Sequence, residues 1–319
     1  MPQIELSAGR IEYRDSGGNG PPVVLLHGLL MDAALWEKSI ALLSADHRCV
    51  APTLPWGAHR VPARDDADLS LAGMARLVDE LIDGLGLSDV TLVGSDTGGA
   101  LIQLLVSLTS KGWAGASGRG LARVTRIVLV SCEAFDNLPA RVTGTTLAVA
   151  GHLPPWLFGL FFQQLRLRAV RRMPMAFGWL TARGDAVTAR WIRPVLTQSA
   201  VRRDATRALR SLRTARPQLL DAAGRLHTFT GPALLIWARG DRVMPPNHGR
   251  QLAAAFTRGE LIEVDDSRTL IPLDQPETFA ELVRHFVRSD PAASGFVSSV
   301  VLDGIDGASV RPATNEEKA

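Results

Sequence analysis

The 319-residue sequence predicts an α/β fold: a doubly wound, mostly parallel sheet with an inserted helical lid. Three observations carry that expectation. Continuous apolar runs at 23–26 (VVLL), 90–93 (VTLV), 127–130 (IVLV) and 233–237 (ALLIW) fit strands buried on both faces of a parallel sheet. Amphipathic stretches of helical period separate those runs, as crossover connections require. Between about 137 and 229 the buried runs stop, and helix-like segments punctuated by Pro and Gly take their place.

In chain order, residues 3–15 alternate Ile4 and Leu6, then Ile11 and Tyr13, around Ala8-Gly9, which predicts a β-hairpin. VVLL leads into His27-Gly28, and 35–43 reads as a helix. HRCVAPTLPWG at 47–57 reads as a strand entering a Pro/Gly loop. Ser70 then caps a helix with Leu71, Met74, Val78, Leu81, Ile82 and Leu85 on one face. A strand at 90–96 turns into a helix from 98 to about 108, and a further strand spans 124–130. After the lid come strands at 232–241 and 261–266, with a helix at 247–256 between them. The last helix follows Asp274-Gln275-Pro276-Glu277, a sequence that supplies an N-cap, a first-turn proline and a capping-box glutamate. Its expected buried stripe is Phe279, Leu282, Val283, Phe286 and Val287. The expected division is a core at 1–136, a lid at 137–229, the rest of the core at 230–289 and a loosely ordered tail at 290–319, in which 296–302 could pair as an edge strand.

Composition narrows the class. No run reaches the roughly 18 apolar residues that cross a bilayer, and MPQIELSAGR lacks a signal-peptide core, so the expectation is a cytoplasmic protein without stable membrane insertion. Cys49 and Cys132 adjoin apolar strands and read as buried thiols. The net charge of +3 conceals a basic segment: residues 141–225 hold fifteen arginines against three acids, +12, which leaves −9 for the remainder. Such a lid either attracts an anionic ligand or membrane surface or simply presents solvated arginines, and the second reading is the simpler. No phosphate loop, dinucleotide fingerprint or Cys/His metal spacing is present, and no aromatics interleave the basic residues as nucleic-acid binding would need. No cofactor or metal is expected. The expected partners are a small-molecule substrate and, at most, a second copy of the chain in a homodimer.

The stretch with most chemical content is VTLVGSDTGG at 90–99. Glycines flank Asp96 where a buried strand must turn sharply into a helix, the pattern of a nucleophile elbow whose apex side chain is pushed into a cleft. In a parallel sheet, functional groups collect at the carboxyl ends of the strands. Those ends carry His27-Gly28-Leu29, Pro55-Trp56-Gly57, Asp96-Thr97, Glu133, Asp241 and the loop 266–273. Trp56, Trp156, Phe161 and Phe162 are candidate pocket walls.

Over about residues 20–290 these motifs together resemble the α/β-hydrolase fold, in its aspartate-nucleophile branch of epoxide hydrolases and haloalkane dehalogenases. The resemblance implies Asp96 as nucleophile and an oxyanion hole from the backbone N–H groups of Leu29 and Thr97 beside His27-Gly28. It implies Asp241, after WARG, as the acid that orients the base, with Glu133 in the other place where this branch carries that acid. Three positions depart from the family pattern. Thr269 stands where the family has its catalytic histidine, the only tyrosine, Tyr13, lies in the hairpin rather than the lid, and Leu29 and Thr97 occupy the positions that hold a halide in dehalogenases. His27 and His59 are the loop histidines at the correct end of the sheet, and His152 is expected near the lid entrance. The leading expectation is therefore an enzyme using Asp96 as general acid/base without the family histidine, for an elimination, hydration, ring opening or cyclisation. A covalent hydrolase of epoxides, halides or esters with a recruited base, and a ligand-binding protein without catalysis, are the alternatives.

Overall fold

The computed structural model describes residues 1–138, 141–289 and 310–312. Among the described residues nine strands form one sheet in the order β1-β2-β4-β3-β5-β6-β7-β8-β9. The hairpin forms as expected: β1 (Gln3–Leu6) and β2 (Gly9–Asp15) pair antiparallel. From β3 (Pro22–Leu26) through β4 (Arg48–Pro52), β5 (Val90–Asp96), β6 (Val124–Cys132), β7 (Ala233–Ala238) and β8 (Gly259–Val264) every neighbouring pair is parallel. All residues of β5 and β7 are buried, which is why these strands read as unbroken apolar runs rather than alternations.

The helices shield both faces. Helix α1 (Glu37–Leu43) follows a 3-10 turn at Ala33–Trp36, and α2 (Leu71–Gly84) starts where Ser70 Oγ accepts the Gly73 N–H at 3.1 Å. Helix α3 (Thr97–Ser110) leaves β5 with no intervening loop and buries eleven residues. Between β6 and β7 the chain forms α4 (Arg141–Ala150), α5 (Pro155–Gln163), α6 (Arg168–Arg171), α7 (Asp185–Thr197), α8 (Ser199–Ser211) and α9 (Ala215–Ala223), the helical insertion predicted there. Helices α10 (Pro246–Ala255), α11 (Ile271–Asp274) and α12 (Pro276–Arg288) complete the layers. In α12 all five residues of the expected stripe are buried. None of the described helices is long and apolar enough to cross a membrane. Both cysteines are buried free thiols, and burial pushes Cys49 up to about 12.

One expectation changes. Asp274 does not cap α12, whose N-cap is Gln275 with no side-chain cap bond. Its buried carboxylate instead accepts from Thr181 Oγ1 at 2.6 Å and from the N–H groups of Ala182, Arg183 and Arg268 at 3.0 Å each. A carboxylate with a stronger donor set nearby takes that set, and the helix start is left to its proline. In the tail, the described strand is β9 (Val310–Pro312), antiparallel to β8, while the stretch 296–302 lies outside the described residues.

Asp274 is one of three buried carboxylates that join insertion to sheet. Asp32 accepts from Trp191 Nε1 of α7 at 2.8 Å, and Asp204 of α8 accepts from the Ala63 N–H at 2.9 Å and faces His59 Nε2 at 3.2 Å. Replacing Asp274 by Ala strands four donors in a dry site, where each unsatisfied group costs roughly 1–3 kcal/mol. Asp274→Ala is expected to lower unfolding free energy by about 3 kcal/mol in urea titration, and Asp274→Asn, which keeps one acceptor, by clearly less.

Candidate active site

The elbow is set by close packing. Asp96, at the end of β5, has φ 57° and ψ −131°, a backbone state that costs a non-glycine residue energy and is held only where the surroundings enforce it. Enforcement comes from approach: a Cβ on Gly98 would collide with the Leu26 carbonyl, and one on Gly28 would collide with the Asp96 carboxylate itself. The β5–β6 register also shifts between Ser95 and Asp96, so that Asp96 faces Cys132. That shift places Glu133, the next residue, beside the first turn of α3. Gln103 of α3 fixes it there by donating to the Glu133 carbonyl at 2.8 Å.

Asp96 and Glu133 are thereby joined through one hydroxyl. Thr97 donates its backbone N–H to Asp96 Oδ1 at 2.8 Å, and the Leu29 N–H donates to the same carboxylate. Thr97 Oγ1 lies 3.0 Å from Asp96 Oδ1 and 3.1 Å from Glu133 Oε1. A threonine hydroxyl has one hydrogen to donate and lone pairs to accept with. It can satisfy both carboxyls only if it donates to one and accepts a proton-borne bond from the other. Burial raises both groups, and for Glu133 the Asp96 charge raises it further, well above the usual carboxylate range. Asp96 has the two backbone donors that favour its charged form. Both effects favour the proton on Glu133, whose Oε2 is buried and has no hydrogen-bond partner among the described residues.

These three residues form the polar floor of a cavity of about 330 Å³ between sheet and insertion. Leu138, Leu147, Phe161, Phe162, Phe177 and Val243 are among its apolar walls, and Thr146 and Gln164 are the further polar side chains that line it. Among the described side chains, no histidine, lysine or arginine lines it. Such a chamber suits a small neutral molecule.

The remaining candidate residues fall into two groups. Leu29 lines the cavity with Asp96, Thr97 and Glu133, and Gly28 packs against Asp96. Asp241 and Thr269 lie behind, bonded to each other. Asp241 Oδ1 accepts from the Val243 and Met244 N–H groups at 2.8 Å and from Thr269 Oγ1 at 2.9 Å, and Thr269 is fully buried and does not line the cavity.

His27 is spent on structure: its Nε2 accepts the Leu54 N–H at 2.9 Å, so its Nδ1 carries the proton that it gives to the Gly28 carbonyl at 2.7 Å. Burial lowers it to about 4, so it is neutral and both nitrogens are engaged. His59 accepts the Gly57 N–H through Nδ1 and meets Asp204 through Nε2, which makes it a bridge to α8 and not a cavity residue. Trp56 is buried away from the cavity, Trp156 is 65% exposed on the outside of α5, and His152 is exposed with Nδ1 on the Ala148 carbonyl. Trp56, His59 and Trp156, expected as substrate-binding residues, do not line the cavity. What the sequence did not announce is that the Thr97 hydroxyl lies between Asp96 and Glu133.

The family model described as alpha/beta hydrolase fold matches residues 21–276. Haloalkane dehalogenase 2 of Mycobacterium tuberculosis is 28% identical over 291 residues, 88% of this chain and 92% of the relative. Among solved structures, a loop variant of a haloalkane dehalogenase from Bradyrhizobium elkanii superposes with a TM-score of 0.69 at 18% identity, covering 90% of this chain and 95% of that one. The enol-lactonase from Burkholderia xenovorans gives a TM-score of 0.67 at 20% identity, covering 90% and 100%.

Asp241 supplies a pH test of this arrangement. Burial raises it from 3.8 to about 6 against the pull of its hydrogen-bond donors. Below 3.8 the group is neutral folded and unfolded; above about 6 it is charged in both and the folded state bears the cost of a buried charge. Its favourable contribution is present at low pH and lost as the pH rises through that interval, about 3 kcal/mol at roughly 1.4 kcal/mol per pH unit. Denaturation of wild type and Asp241→Asn across pH 4 to 8 is expected to show wild type losing ground to the variant up to about 6, with a constant difference above it.

Proposed function

This chain belongs to the alpha/beta hydrolase fold family, and on that premise we propose that it is an enzyme that turns over a small, neutral, largely apolar molecule by acid–base chemistry between Asp96 and Glu133. The observation that carries the reading is the single hydroxyl shared by two carboxyls at the floor of a cavity without an imidazole. Asp96, ionised and fixed by two backbone N–H groups, takes a proton from the substrate or from a water that adds to it. Glu133, protonated, gives one to the atom that gains electrons. After the step Asp96 is protonated and Glu133 is charged. Thr97 then restores the start by accepting from Asp96 and donating to Glu133, so the cycle closes without a histidine. With no cation among the described side chains of the cavity wall, a developing negative charge is quenched by proton transfer as it forms. Hydration, elimination and ring opening of neutral compounds meet that condition. Thr269 and Asp241, in the positions of the usual base and its orienting acid, become a structural pair.

A second reading has Asp96 as a covalent nucleophile, as expected of the aspartate branch. It is favoured by the Thr97 and Leu29 donors, which hold one carboxylate and leave an oxygen for attack, and by the likeness to named haloalkane dehalogenases. It requires a base to free the ester. His27 and His59 are engaged elsewhere, and no other imidazole lines the cavity.

The two readings part on intact mass. With a panel of terminal epoxides, 1-haloalkanes and enol lactones as probes, turnover of at least one is expected with no adduct on the protein. Asp96→Asn, Glu133→Gln and Thr97→Val are each expected to lower kcat about 10²-fold or more, as loss of general acid–base assistance does, with Thr97→Ser retaining most of it. An adduct of probe mass on Asp96, or solvent oxygen label entering its carboxylate over repeated turnovers, overturns the acid–base reading in favour of the covalent one.

A further inference from the structure

The described surface has eight large apolar side chains that are well exposed, and six of them fall between 149 and 173: Val149, Trp156, Leu160, Phe161, Leu167 and Met173. Helix α5 divides its residues by face. Phe158, Gly159 and Phe162 are buried, while Trp156 at 65%, Leu160 at 57% and Phe161 at 41% stand in solvent. A fold that buries whole apolar stripes elsewhere leaves this one uncovered, which marks an interaction surface.

The chain that carries it is basic. From 137 to 184 the sequence contains no aspartate or glutamate and six arginines. Arg166, Arg168 and Arg172 are exposed; Arg168 pairs with Asp185 at 3.1 Å, while Arg166 and Arg172 have no acidic partner among the described residues. The patch also surrounds an opening. Phe161, Gln164 and Met173 are exposed and also line the cavity, so the mouth of the cavity lies on this face.

We infer that this face of the insertion docks on the surface of an anionic lipid bilayer, with α5 lying in the interface and the mouth of the cavity turned towards it. Trp156, Leu160 and Leu167 enter the headgroup boundary, where an indole and branched aliphatic chains are at home, and Arg166 and Arg172 meet the lipid phosphates. A second copy of the chain would cover the apolar residues but would bring its own arginines against these. A bilayer carrying negative charge satisfies both features together. The cavity then fills with molecules dissolved in the membrane, in keeping with its apolar wall. This docking does not depend on the chemistry proposed for Asp96.

Sedimentation of the full chain with phosphatidylcholine vesicles, with and without phosphatidylglycerol, tests the inference. Binding to the anionic vesicles alone, weakening as salt is raised, is expected. The double variants Trp156→Ser/Leu160→Ser and Arg166→Glu/Arg172→Glu are each expected to weaken it at least about tenfold. These residues lie outside the cavity wall, so activity on a water-soluble probe is expected to persist in both. Should the apolar pair fail to fold, the arginine pair decides alone. The inference is overturned if wild type does not bind anionic vesicles, if both variants bind as wild type does, or if wild type is a dimer that the Trp156→Ser/Leu160→Ser change dissociates while vesicles are ignored.

Discussion

The close approach of β5, α3 and the loop after β3 constrains everything at this site. Gly98 lets α3 start against the Leu26 carbonyl, and Gly28 leaves room for a carboxylate where any side chain would collide. The chain accepts a positive φ at Asp96 in return. From that one turn follow the aim of Asp96 into the cavity, the two backbone donors on it, and the position of the Thr97 hydroxyl. The shift of register against β6 brings Glu133 to the other side of that hydroxyl. A proton count then follows from geometry: two carboxyls and one hydroxyl hydrogen at hydrogen-bonding distance require one proton more than two carboxylates would hold.

The insertion is held over this floor by interactions unlike those that build the sheet. Asp32, Asp204 and Asp274 are buried carboxylates, each satisfied by donors from the other side of the boundary. Hydrogen bonds of this kind to a charged group are directional, so they fix position where apolar contact alone would allow sliding. The same use of polar groups explains the histidines: His27 and His59 are absorbed in holding loops and do not line the cavity. The outer face of the insertion has the reverse character, with apolar side chains in solvent and arginines around them.

Much of the fold was legible in the sequence because burial on both faces leaves a continuous apolar run and because α2 and α12 have the period of surface helices, α2 with its Ser70 cap. The elbow was legible too, since only glycine tolerates those approaches. Side-chain roles were less so. Asp274 carries the local signature of an N-cap, but the donors that claim it, at Thr181 to Arg183, are about ninety residues distant and invisible to a local rule. Trp156 has the composition of a pocket wall, and only the rotation of α5 about its axis puts Phe162 inside and Trp156 outside. Thr97 was read as a backbone donor because elbows use that N–H. Its hydroxyl acquires meaning only when β6 brings Glu133 within reach, a contact across thirty-six residues.

The central claim is that Glu133 is a carboxylic acid that shares its proton with Asp96 through Thr97. Infrared difference spectroscopy in the carbonyl-stretch region, at mildly alkaline pH where ordinary carboxyls are ionised, tests it without a substrate. A protonated-carboxyl band is predicted in the wild type, lost in Glu133→Gln and shifted in Thr97→Val. No such band in the wild type, or one that survives unchanged in Glu133→Gln, would contradict the account.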